Sequence, residues 1–513
     1  MEASEYDVVV VGGGINGAGI ARDAAGRGLS VLLCEKDDLA RHTSSASTKL
    51  IHGGLRYLEY YEFGLVRKAL QEREVLLKAA PHIMWPLRFV MPHDKHLRPG
   101  WMIRAGLFLY DHLARRQILP GSSGIDLRRH EAGKPLQARF GKGFVYSDGW
   151  VQDARLVTLC AMDARERGAT ILTRTACVGA QRSEGSWRIA LRDASGAERT
   201  VGARVLVNAA GPWVGDFLSQ VAQVKSARRV RLVKGSHIVV KKLYEHPYAY
   251  IFQNPDKRII FAIPYEQDFT LIGTTDLEYR GAADQVAIDA DETAYLCEMA
   301  SRYFSKPVVP ADVVWNYSGV RPLLDDESAD ASGVTRDYDL VMDQGGAPML
   351  SVFGGKITTF RKLAEEAADL LQEQLGKGSG AWTARATLPG GDLPGGDFGK
   401  FLESLRQAHP WLPATLAQRY ARAYGSRTEA MLSGARSLEE LGEEVLPGLY
   451  EAEIHYLHRQ EWACSAEDIL WRRSKLGLHV PADGGEILAR WLAEHVVNVT
   501  KSKDSPQIAP TGH

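Results

Sequence analysis

The stretch that decides the fold runs from residue 6 to residue 35 and reads YDVVVVGGGINGAGIARDAAGRGLSVLLCE. The valines at 8–11 form a short apolar run, typical of a parallel strand buried on both faces. Gly12, Gly14 and Gly17 follow in GxGxxG spacing, and a second apolar run ends at Glu35. This order of strand, glycine turn, helix, strand and acid predicts a dinucleotide-binding βαβ unit.

Each residue type in this motif has a physical reason. Gly12 permits a tight turn, Gly14 lets the backbone approach a pyrophosphate, and Gly17 lets the helix pack closely against the strands. The helix N-terminus presents unpaired N–H groups and a partial positive charge to phosphates. Glu35 stands where a carboxylate binds the hydroxyls of an adenosine ribose, which disfavours a 2′-phosphate. The alternative is a glycine-rich turn in another kind of α/β unit.

Length and composition limit the class of protein. The chain has 513 residues, too many for one simple core, so two or three domains are expected. Its 62 basic and 63 acidic residues give no electrostatic reason to expect nucleic acid. The five cysteines lack CxxC spacing, which fits a reducing cytosol and indicates no metal site. Without a signal peptide or a spanning apolar run, we expect a protein that is cytoplasmic or lies on a membrane surface.

A second motif, TSSASTKLIHGGLRYLE, covers residues 43–59. Its hydroxyl-rich first half is either an ordinary solvated loop or a set of hydrogen-bond donors for a pyrophosphate and a ribityl chain. The paired glycines of its second half bring the backbone close to a large flat group. The candidate cofactor-binding residues here are Ser44, Ser45, Ser47, Lys49, His52 and Gly53.

These motifs resemble those of a known family. Residues 7–57 resemble the FAD-binding N-terminal region of the D-amino-acid-oxidase-like flavoproteins, and SSASTKLIHGGLRYLE is similar to a motif of the FAD-dependent glycerol-3-phosphate dehydrogenases. The resemblance continues to about Gly477. It implies an α/β, Rossmann-like FAD-binding domain, an interleaved substrate domain with an antiparallel or mixed β-sheet, and a C-terminal helical domain.

The domain boundaries follow from the resemblance and from local composition. Residues 230–330 alternate β-branched and aromatic residues as sheets do, and residues 376–399 are rich in Gly and Pro. We therefore predict an FAD-binding domain of residues 1–80, 145–225 and 335–375, a substrate domain of 81–144 and 226–334, a linker of 376–399, a helical domain of 400–500 and a disordered tail of 501–513.

Other segments are expected to return to the cofactor. LVNAAGPW at 206–213 closes an apolar strand with small residues, and FGGKITTF at 353–360 reads as a glycine turn before a helix, which is a natural anion site. In the resembled fold the second of these faces the flavin, and the backbone near Val178 faces the adenine. The additional cofactor-binding candidates are Val178, Ala209, Gly211, Gly354, Gly355, Lys356 and Thr358.

The resemblance implies oxidation of sn-glycerol 3-phosphate to dihydroxyacetone phosphate, by hydride transfer to flavin N5, with electrons passed to a membrane quinone. Such a substrate needs fixed positive charge, for which Arg56, Arg321 and Lys356 are the candidates. Tyr57 and Thr275 are expected to orient it. Each cation by itself is more often a solvated surface charge.

Oxidation of an alcohol also needs a base for the hydroxyl proton. His237 is our candidate, because nearby cations keep a histidine neutral at pH 7. Arg321 is a less favoured alternative, since a guanidinium resists deprotonation. His52 is another alternative: it is either the base or a residue that packs against the flavin. A strand histidine is also often a core residue without a catalytic role.

Several alternatives stay open. The rivals are an amino-acid or sarcosine-type oxidase, a hydrogen-peroxide-forming glycerol-3-phosphate oxidase, and a flavin-binding module without turnover. Residues 88–117 are apolar with basic ends and either lie in a bilayer interface or are buried between domains. The resembled enzymes suggest peripheral association with the inner face of the cytoplasmic membrane, and a homodimer is one option. Arg472 and Arg473 match a C-terminal motif of the family, although a solvated basic face is the simpler interpretation.

Overall fold

The computed structural model describes residues 5–94, 97–226, 228–256, 258–324 and 337–496. Its strands are β1 Glu5–Val11, β2 Val31–Cys34, β3 Leu50–Ile51, β4 Met84–Pro92, β5 Ser123–Asp126, β6 Lys142–Val151, β7 Thr170–Leu172, β8 Thr175–Arg182, β9 Trp187–Asp193, β10 Glu198–Asn208, β11 Val230–Lys241, β12 Ala249–Gln253, β13 Ile259–Tyr265, β14 Phe269–Gly273, β15 Leu277–Glu278, β16 Val313–Leu324, β17 Asp339–Asp343, β18 Met349–Phe353, β19 Glu444–Leu446 and β20 Leu449–Tyr450. Its α-helices are α1 Ile15–Gly26, α2 Phe63–Ala79, α3 Gly100–His112, α4 Asp153–Glu166, α5 Val214–Asp216, α6 Ala290–Ser301, α7 Phe360–Leu375, α8 Phe398–Ala408, α9 Ala414–Tyr424, α10 Thr428–Leu432, α11 Glu451–Glu461 and α12 Gly484–His495.

The first sheet is the nucleotide-binding sheet that the N-terminal motif predicts. Its strands lie in the order β17-β18-β10-β1-β2-β7, with β9 paired to β10 and β8 paired to β9. β1 runs parallel to β2 and to β10, and Val8, Val9 and Val10 are completely buried. Helix α1 packs against α4 and α7. The predicted apolar run is therefore a central parallel strand.

The turn between β1 and α1 requires glycine at two places. Gly12 has a φ of +112°, and a Cβ atom there would lie 2.4 Å from the carbonyl oxygen of Ala209. A Cβ atom on Gly17 would lie 1.9 Å from the carbonyl oxygen of Gly12. Gly17 therefore brings the helix against the strand turn, as we expected from the motif.

The second sheet has the order β15-β11-β14-β13-β12-β4-β6-β3, with β16 paired to β11 and β5 to β6. It is mixed, because β4 and β12 are parallel while the other strand pairs described are antiparallel. The boundary that we placed at residue 145 falls inside β6, which belongs to this sheet over its whole length. Strand β3, which we placed in the FAD-binding domain, also lies in this sheet. The chain therefore crosses between the two domains more often than the sequence indicated.

Residues 376–399, predicted to be a linker, are packed against the first domain. Leu388 is buried in the core of the first domain and Leu393 in that of the C-terminal domain, and the Leu388 N–H donates to the carbonyl of Ala79 over 2.8 Å. Arg22 of α1 donates to the carbonyl of Thr387. The Gly and Pro content therefore marks an irregular but anchored segment.

The C-terminal domain is helical, as predicted, apart from the short hairpin of β19 and β20. Its own core contains the buried side chains of Tyr420, Leu457 and Leu488. The predicted tail, residues 501–513, lies outside the described residues. Among the described residues, no helix combines the length and the apolar character needed to cross a bilayer.

Candidate functional site: a nucleotide cavity continuous with a cationic chamber

A cavity of about 470 Å³ runs between the two sheets. We call this the main cavity, its end near Glu35 the nucleotide end, and its end near His237 the inner end. A second cavity of about 130 Å³, the side chamber, adjoins the inner end. The residues that line both cavities are Leu50, His52, Tyr57, Thr274 and Arg321.

The N-terminus of α1 opens into the main cavity. Gly14 precedes the helix and gives it no side-chain cap, and Gly14, Ile15 and Asn16 line the cavity. The Ile15 N–H donates to Ser44 Oγ over 3.0 Å. Within the described residues, the buried Oδ1 atom of Asn16 has no hydrogen-bond partner. The helix dipole and these polar groups make this part of the cavity suitable for a pyrophosphate.

Glu35 lies at the nucleotide end, directly after β2. Its carboxylate accepts hydrogen bonds from the N–H groups of Gly13 over 2.6 Å and of Asp37 over 2.8 Å. Burial raises the pKa of Glu35. This end is completed by His42 and Trp213 and by the start of β8, Thr175, Ala176 and Cys177. Val178, which we expected beside the adenine, does not line the cavity, whereas its neighbour Cys177 does.

Glycines form the walls of the inner end. Gly235 of β11 faces Gly319 of β16 in the strand pair, and both line the main cavity. A Cβ atom on Gly319 would lie 2.6 Å from the Cβ atom of Ala46. Gly354 and Gly355 have φ values of +74° and +104°. Backbone surfaces of this kind accept a flat ring system, so the whole cavity fits FAD.

His237 lies on β11 at the inner end. Its ring is only 2 % exposed and stacks on Tyr317 with ring centroids 4.7 Å apart. Its Nε2 atom lies 3.0 Å from Thr48 Oγ1. The ring also requires a glycine on β14, because a Cβ atom on Gly273 would lie 2.2 Å from His237 Cδ2.

The electrostatics keep this histidine neutral. Burial lowers the pKa of His237 well below its ordinary value, and the positive charges of Lys49 and Arg321 lower it further. A neutral imidazole can accept a proton at neutral pH. His237 therefore has the protonation state that a general base needs.

The three expected cations surround the junction of the two cavities. Arg321 lines both cavities, Lys356 lines the main cavity and Arg56 lines the side chamber. Tyr57 lines both, and Lys356 Nζ lies 4.2 Å from the centroid of its ring. Arg321 donates to Asp276 Oδ1 over 3.1 Å. Residues distant in sequence thus supply positive charge to one place.

Thr275, expected to orient the substrate, is instead 1 % exposed. Its hydroxyl donates to Glu292 Oε1 over 2.7 Å and accepts from the N–H of Ser236 over 2.8 Å. Its carbonyl accepts from Arg321 over 3.2 Å. Thr274, one position earlier, lines both cavities. We therefore assign Thr275 to the support of Arg321, and Thr274 to the cavity wall.

We predicted that Lys49 binds the cofactor, but it does not line the main cavity. Its ammonium group is buried and lies 2.9 Å from both carboxylate oxygens of Asp153. Ser47 lines the cavity, but its hydroxyl also donates to Asp153. The Ser45 hydroxyl donates to backbone carbonyls, and the Gly53 N–H donates to the hydroxyl of Tyr110. Lys49, Ser45 and Gly53 therefore shape the loop and are not lining residues.

Gly17 does not line the cavity, because it packs against the Gly12 carbonyl. The other candidates are lining residues: Gly12, Gly14, Glu35, Ser44, Ser47, His52, Ala209, Gly211, Gly354, Gly355, Lys356 and Thr358. The sequence-based assignment missed several others, namely Asn16, His42, Thr48, Trp213, Gly235, Thr274 and Gly319. Thr48 and Thr274 are each adjacent in sequence to a predicted site residue. Gly235 and Gly319 are far apart in sequence and become neighbours only when β11 pairs with β16, so no local motif marks them.

Comparison with known proteins identifies the family of the chain. Residues 7–361 match the family model described as FAD dependent oxidoreductase. The chain belongs to this family. Residues 381–501 match the model described as the C-terminal domain of alpha-glycerophosphate oxidase. The FAD that the cavity fits is thus the cofactor of the family, as the motifs predicted.

Three curated relatives cover nearly the whole chain. A glycerol-3-phosphate dehydrogenase of Pseudomonas aeruginosa is 55% identical, over 96% of this chain and 96% of that protein. A D-erythritol 1-phosphate dehydrogenase of Brucella abortus is 54% identical, over 96% and 98%. The aerobic glycerol-3-phosphate dehydrogenase of Escherichia coli is 50% identical, over 95% and 97%.

A solved structure supports the same assignment. The glycerol-3-phosphate dehydrogenase of Bacillus halodurans, complexed with FAD, superimposes with a TM-score of 0.78 at 28% identity, over 96% of this chain and 91% of that one. The predicted fold class, with an FAD-binding domain, a sheet-rich domain and a helical C-terminal domain, is confirmed.

Proposed function

We propose that this protein oxidises sn-glycerol 3-phosphate to dihydroxyacetone phosphate. The observation that carries the proposal is that Arg321 and Lys356 line the main FAD cavity together with His237, and that Arg56 joins Arg321 in the adjoining side chamber. Bound FAD supplies the acceptor for the hydride from C2 of the substrate. The names of two of the relatives support the choice of substrate.

The cations hold the phosphate of the substrate. A charge-assisted hydrogen bond contributes about 1.5–3 kcal/mol, so two or three of them hold a small dianion with few other contacts. Arg321 is itself held by Asp276 and by the carbonyl of Thr275. Because Arg321 is fixed in this way, less side-chain entropy is lost when a phosphate binds.

His237 takes the proton of the C2 hydroxyl at Nε2. This atom contacts Thr48 Oγ1, and both residues line the main cavity. The stacking of the ring on Tyr317 fixes its plane, so the base is positioned before the substrate arrives. The same low-dielectric surroundings that keep His237 neutral exclude water from the proton transfer.

Substrate comparison tests this proposal. Purified protein is assayed with an artificial electron acceptor and with glycerol 3-phosphate, glycerol, a D-amino acid or sarcosine. We expect turnover with the phosphate ester only, because glycerol has no phosphate for the cations to bind. Turnover of an amino acid at a similar kcat/KM would instead favour an oxidase of carboxylate substrates. A flavin that no substrate reduces would favour a binding module.

D-erythritol 1-phosphate is a second candidate substrate, because one relative at 54% identity is named for it. The side chamber extends beyond the cations and offers Tyr146, Asp148 and Arg258 to further hydroxyl groups. The ratio of kcat/KM for the two phosphate esters decides between them. A ratio above ten in favour of the four-carbon ester would make it the substrate.

The acceptor of the electrons is proposed to be a membrane quinone. Support comes from the relative named as the aerobic dehydrogenase. Oxygen is the alternative, since the C-terminal family model is described for an oxidase. Peroxide release in air, compared with reduction of a soluble quinone analogue, separates the two. We expect quinone reduction to be much faster than peroxide formation.

A surface around α3 supports peripheral contact with a membrane. Trp101 and Phe108 on this helix are 71% and 58% exposed. Tyr61 and Phe63 lie on the neighbouring segment and are also exposed, and α3 packs against residues 55–60. Arg98 at the start of the surface has an exposed side chain. Aromatic rings beside a basic residue suit the interface of a bilayer with anionic lipids.

Vesicle binding tests this contact. Cosedimentation with vesicles of anionic phospholipid is compared for the wild type and for a Trp101→Ser/Phe108→Ser double variant. The matched control is Val309→Ser/Val314→Ser, which removes two half-exposed apolar side chains elsewhere on the surface. We expect only the first variant to lose binding. Equal losses in the two variants would show that the α3 surface is not the contact.

A further inference from the structure

The loop of residues 36–42 forms one wall of the nucleotide end. Lys36, Ala40, Arg41 and His42 line the main cavity. The Ala40 N–H donates to the carbonyl of Gly13 in the glycine motif over 3.1 Å. The position of this loop therefore sets the width of the cavity beyond the pyrophosphate region.

Asp38, in the middle of this loop, is directed away from the cavity. Its carboxylate has no exposed surface, and it contacts two consecutive arginines of the C-terminal domain. Arg473 Nη1 and Nη2 donate to its two oxygens over 2.9 and 2.8 Å. Arg472 Nε donates to Oδ2 over 2.6 Å. The solvated basic face that we expected for these arginines is thus a buried two-point contact.

The arginines are themselves fixed within the C-terminal domain. Arg473 donates to the carbonyl of Glu461, and Arg472 donates to Asp468 Oδ1 over 2.5 Å. Asp468 also pairs with Arg174, whose N–H donates to the carbonyl of Asp37 over 2.8 Å. Two consecutive loop residues are therefore anchored, one by its backbone and one by its side chain.

We infer that Arg472 and Arg473 are positioning residues for the cofactor, and that the C-terminal domain holds loop 36–42 in the conformation that binds the adenosine half of FAD. Moving the loop would separate buried charges, which is strongly unfavourable. The free protein is thus preorganised, and less binding free energy is lost to ordering the loop. The inference concerns the cofactor alone and is independent of which phosphate ester is oxidised.

The test measures FAD affinity in variants of the full-length protein. Apoprotein of Asp38→Asn and of Arg473→Lys is titrated with FAD, and KM for glycerol 3-phosphate is measured at saturating FAD. We expect the Kd for FAD to rise about ten-fold or more, while KM stays within about two-fold. The control is Arg422→Lys, because Arg422 of the C-terminal domain donates to the carbonyls of Pro81 and His82 at the contact with the first domain without touching the loop or Glu461.

The outcomes separate positioning from general loosening of the domain contact. An FAD Kd that stays unchanged in both variants would overturn the inference. So would an equal rise in the Arg422→Lys control, or a KM that rises in parallel with Kd. If Asp38→Asn fails to fold, Arg473→Lys decides, because it keeps the positive charge and removes the two-point contact with Asp38. Failure of the proposed substrate would leave the FAD titration unaffected.

Discussion

His237 Nε2 lies 3.0 Å from Thr48 Oγ1, and the two side chains reach this contact from parts of the chain 189 residues apart. Thr48 comes from the hydroxyl-rich loop after β2, and His237 comes from the second sheet. The contact closes the inner end of the main cavity, where both residues line the wall. It joins the cofactor-binding domain to the proposed base.

Removing the base should lower turnover more than binding. For His237→Asn we expect kcat to fall by about 10²–10⁴-fold, because general base catalysis contributes about this much. KM should change little, since the cations still hold the phosphate. Steady-state kinetics at saturating FAD measures both. A kcat within a few-fold of the wild type would assign the base elsewhere.

The pH dependence of kcat should follow the neutral state of His237. Burial and nearby cations lower its pKa well below 6.5, so the base form persists below that pH. We therefore expect kcat to be flat from pH 8 to below pH 6.5, and to fall only at more acidic pH. A profile that falls with a midpoint at or above 6.5 would contradict this assignment.

Lys356 should contribute mainly to binding of the phosphate. We expect Lys356→Met to raise KM by about 10-fold or more, as the loss of one charge-assisted contact implies. The control is Lys362→Met. Lys362 lies on α7, pairs with Glu365 and does not line the main cavity. Substrate kinetics of the two variants at saturating FAD makes the comparison. Equal KM values in both variants would remove Lys356 from the site.

The glycine wall of the inner end should not tolerate a side chain. A Cβ atom at residue 319 would lie 2.6 Å from the Cβ atom of Ala46, so the hydroxyl-rich loop would have to move. We expect Gly319→Ala to weaken FAD binding and lower kcat. The control is Gly185→Ala, where a Cβ atom meets open space. FAD titration of both apoproteins gives the answer, and equal affinities would show that the wall is flexible.

His82 should make stability depend on pH. It is completely buried, and burial followed by the charges of Arg155 and Arg422 lowers its pKa to about 3. Between pH 6.5 and about 3 the unfolded chain binds a proton at this residue and the folded chain does not. The free energy of unfolding therefore falls by up to about 1.4 kcal/mol for each unit by which the pH is lowered in this range. Urea unfolding at several pH values should show a shallower dependence for His82→Leu. An unchanged slope would contradict this.

The sequence predicted local motifs well and side-chain directions poorly. The β1–α1 unit could be read from residues 6–35, because strand, glycine turn and acid are close in sequence. Lys49 looked like a cofactor ligand, but its partner Asp153 is 104 residues away. Thr275 was chosen in place of Thr274, and in an extended segment adjacent side chains point to opposite sides. Which face a residue presents depends on distant partners that spacing alone does not reveal.

The same limit explains the C-terminal arginines. Arg472 and Arg473 lie between the apolar residues 469–471 and the polar residues 474–475, and consecutive basic residues usually face solvent. Their partner Asp38 lies more than 430 residues earlier. Only the packing of the C-terminal domain on the loop after β2 shows that these charges are buried.

The central claim is that the cations and His237 act together on a phosphate ester at the flavin. Anaerobic mixing of the FAD-loaded protein with glycerol 3-phosphate, followed by the visible absorbance of the flavin, tests it most directly. The account predicts rapid bleaching in the wild type, slow bleaching in His237→Asn, and bleaching in Lys356→Met only at higher substrate concentration. Bleaching that is equally fast in all three proteins, or absent in the wild type, would contradict it.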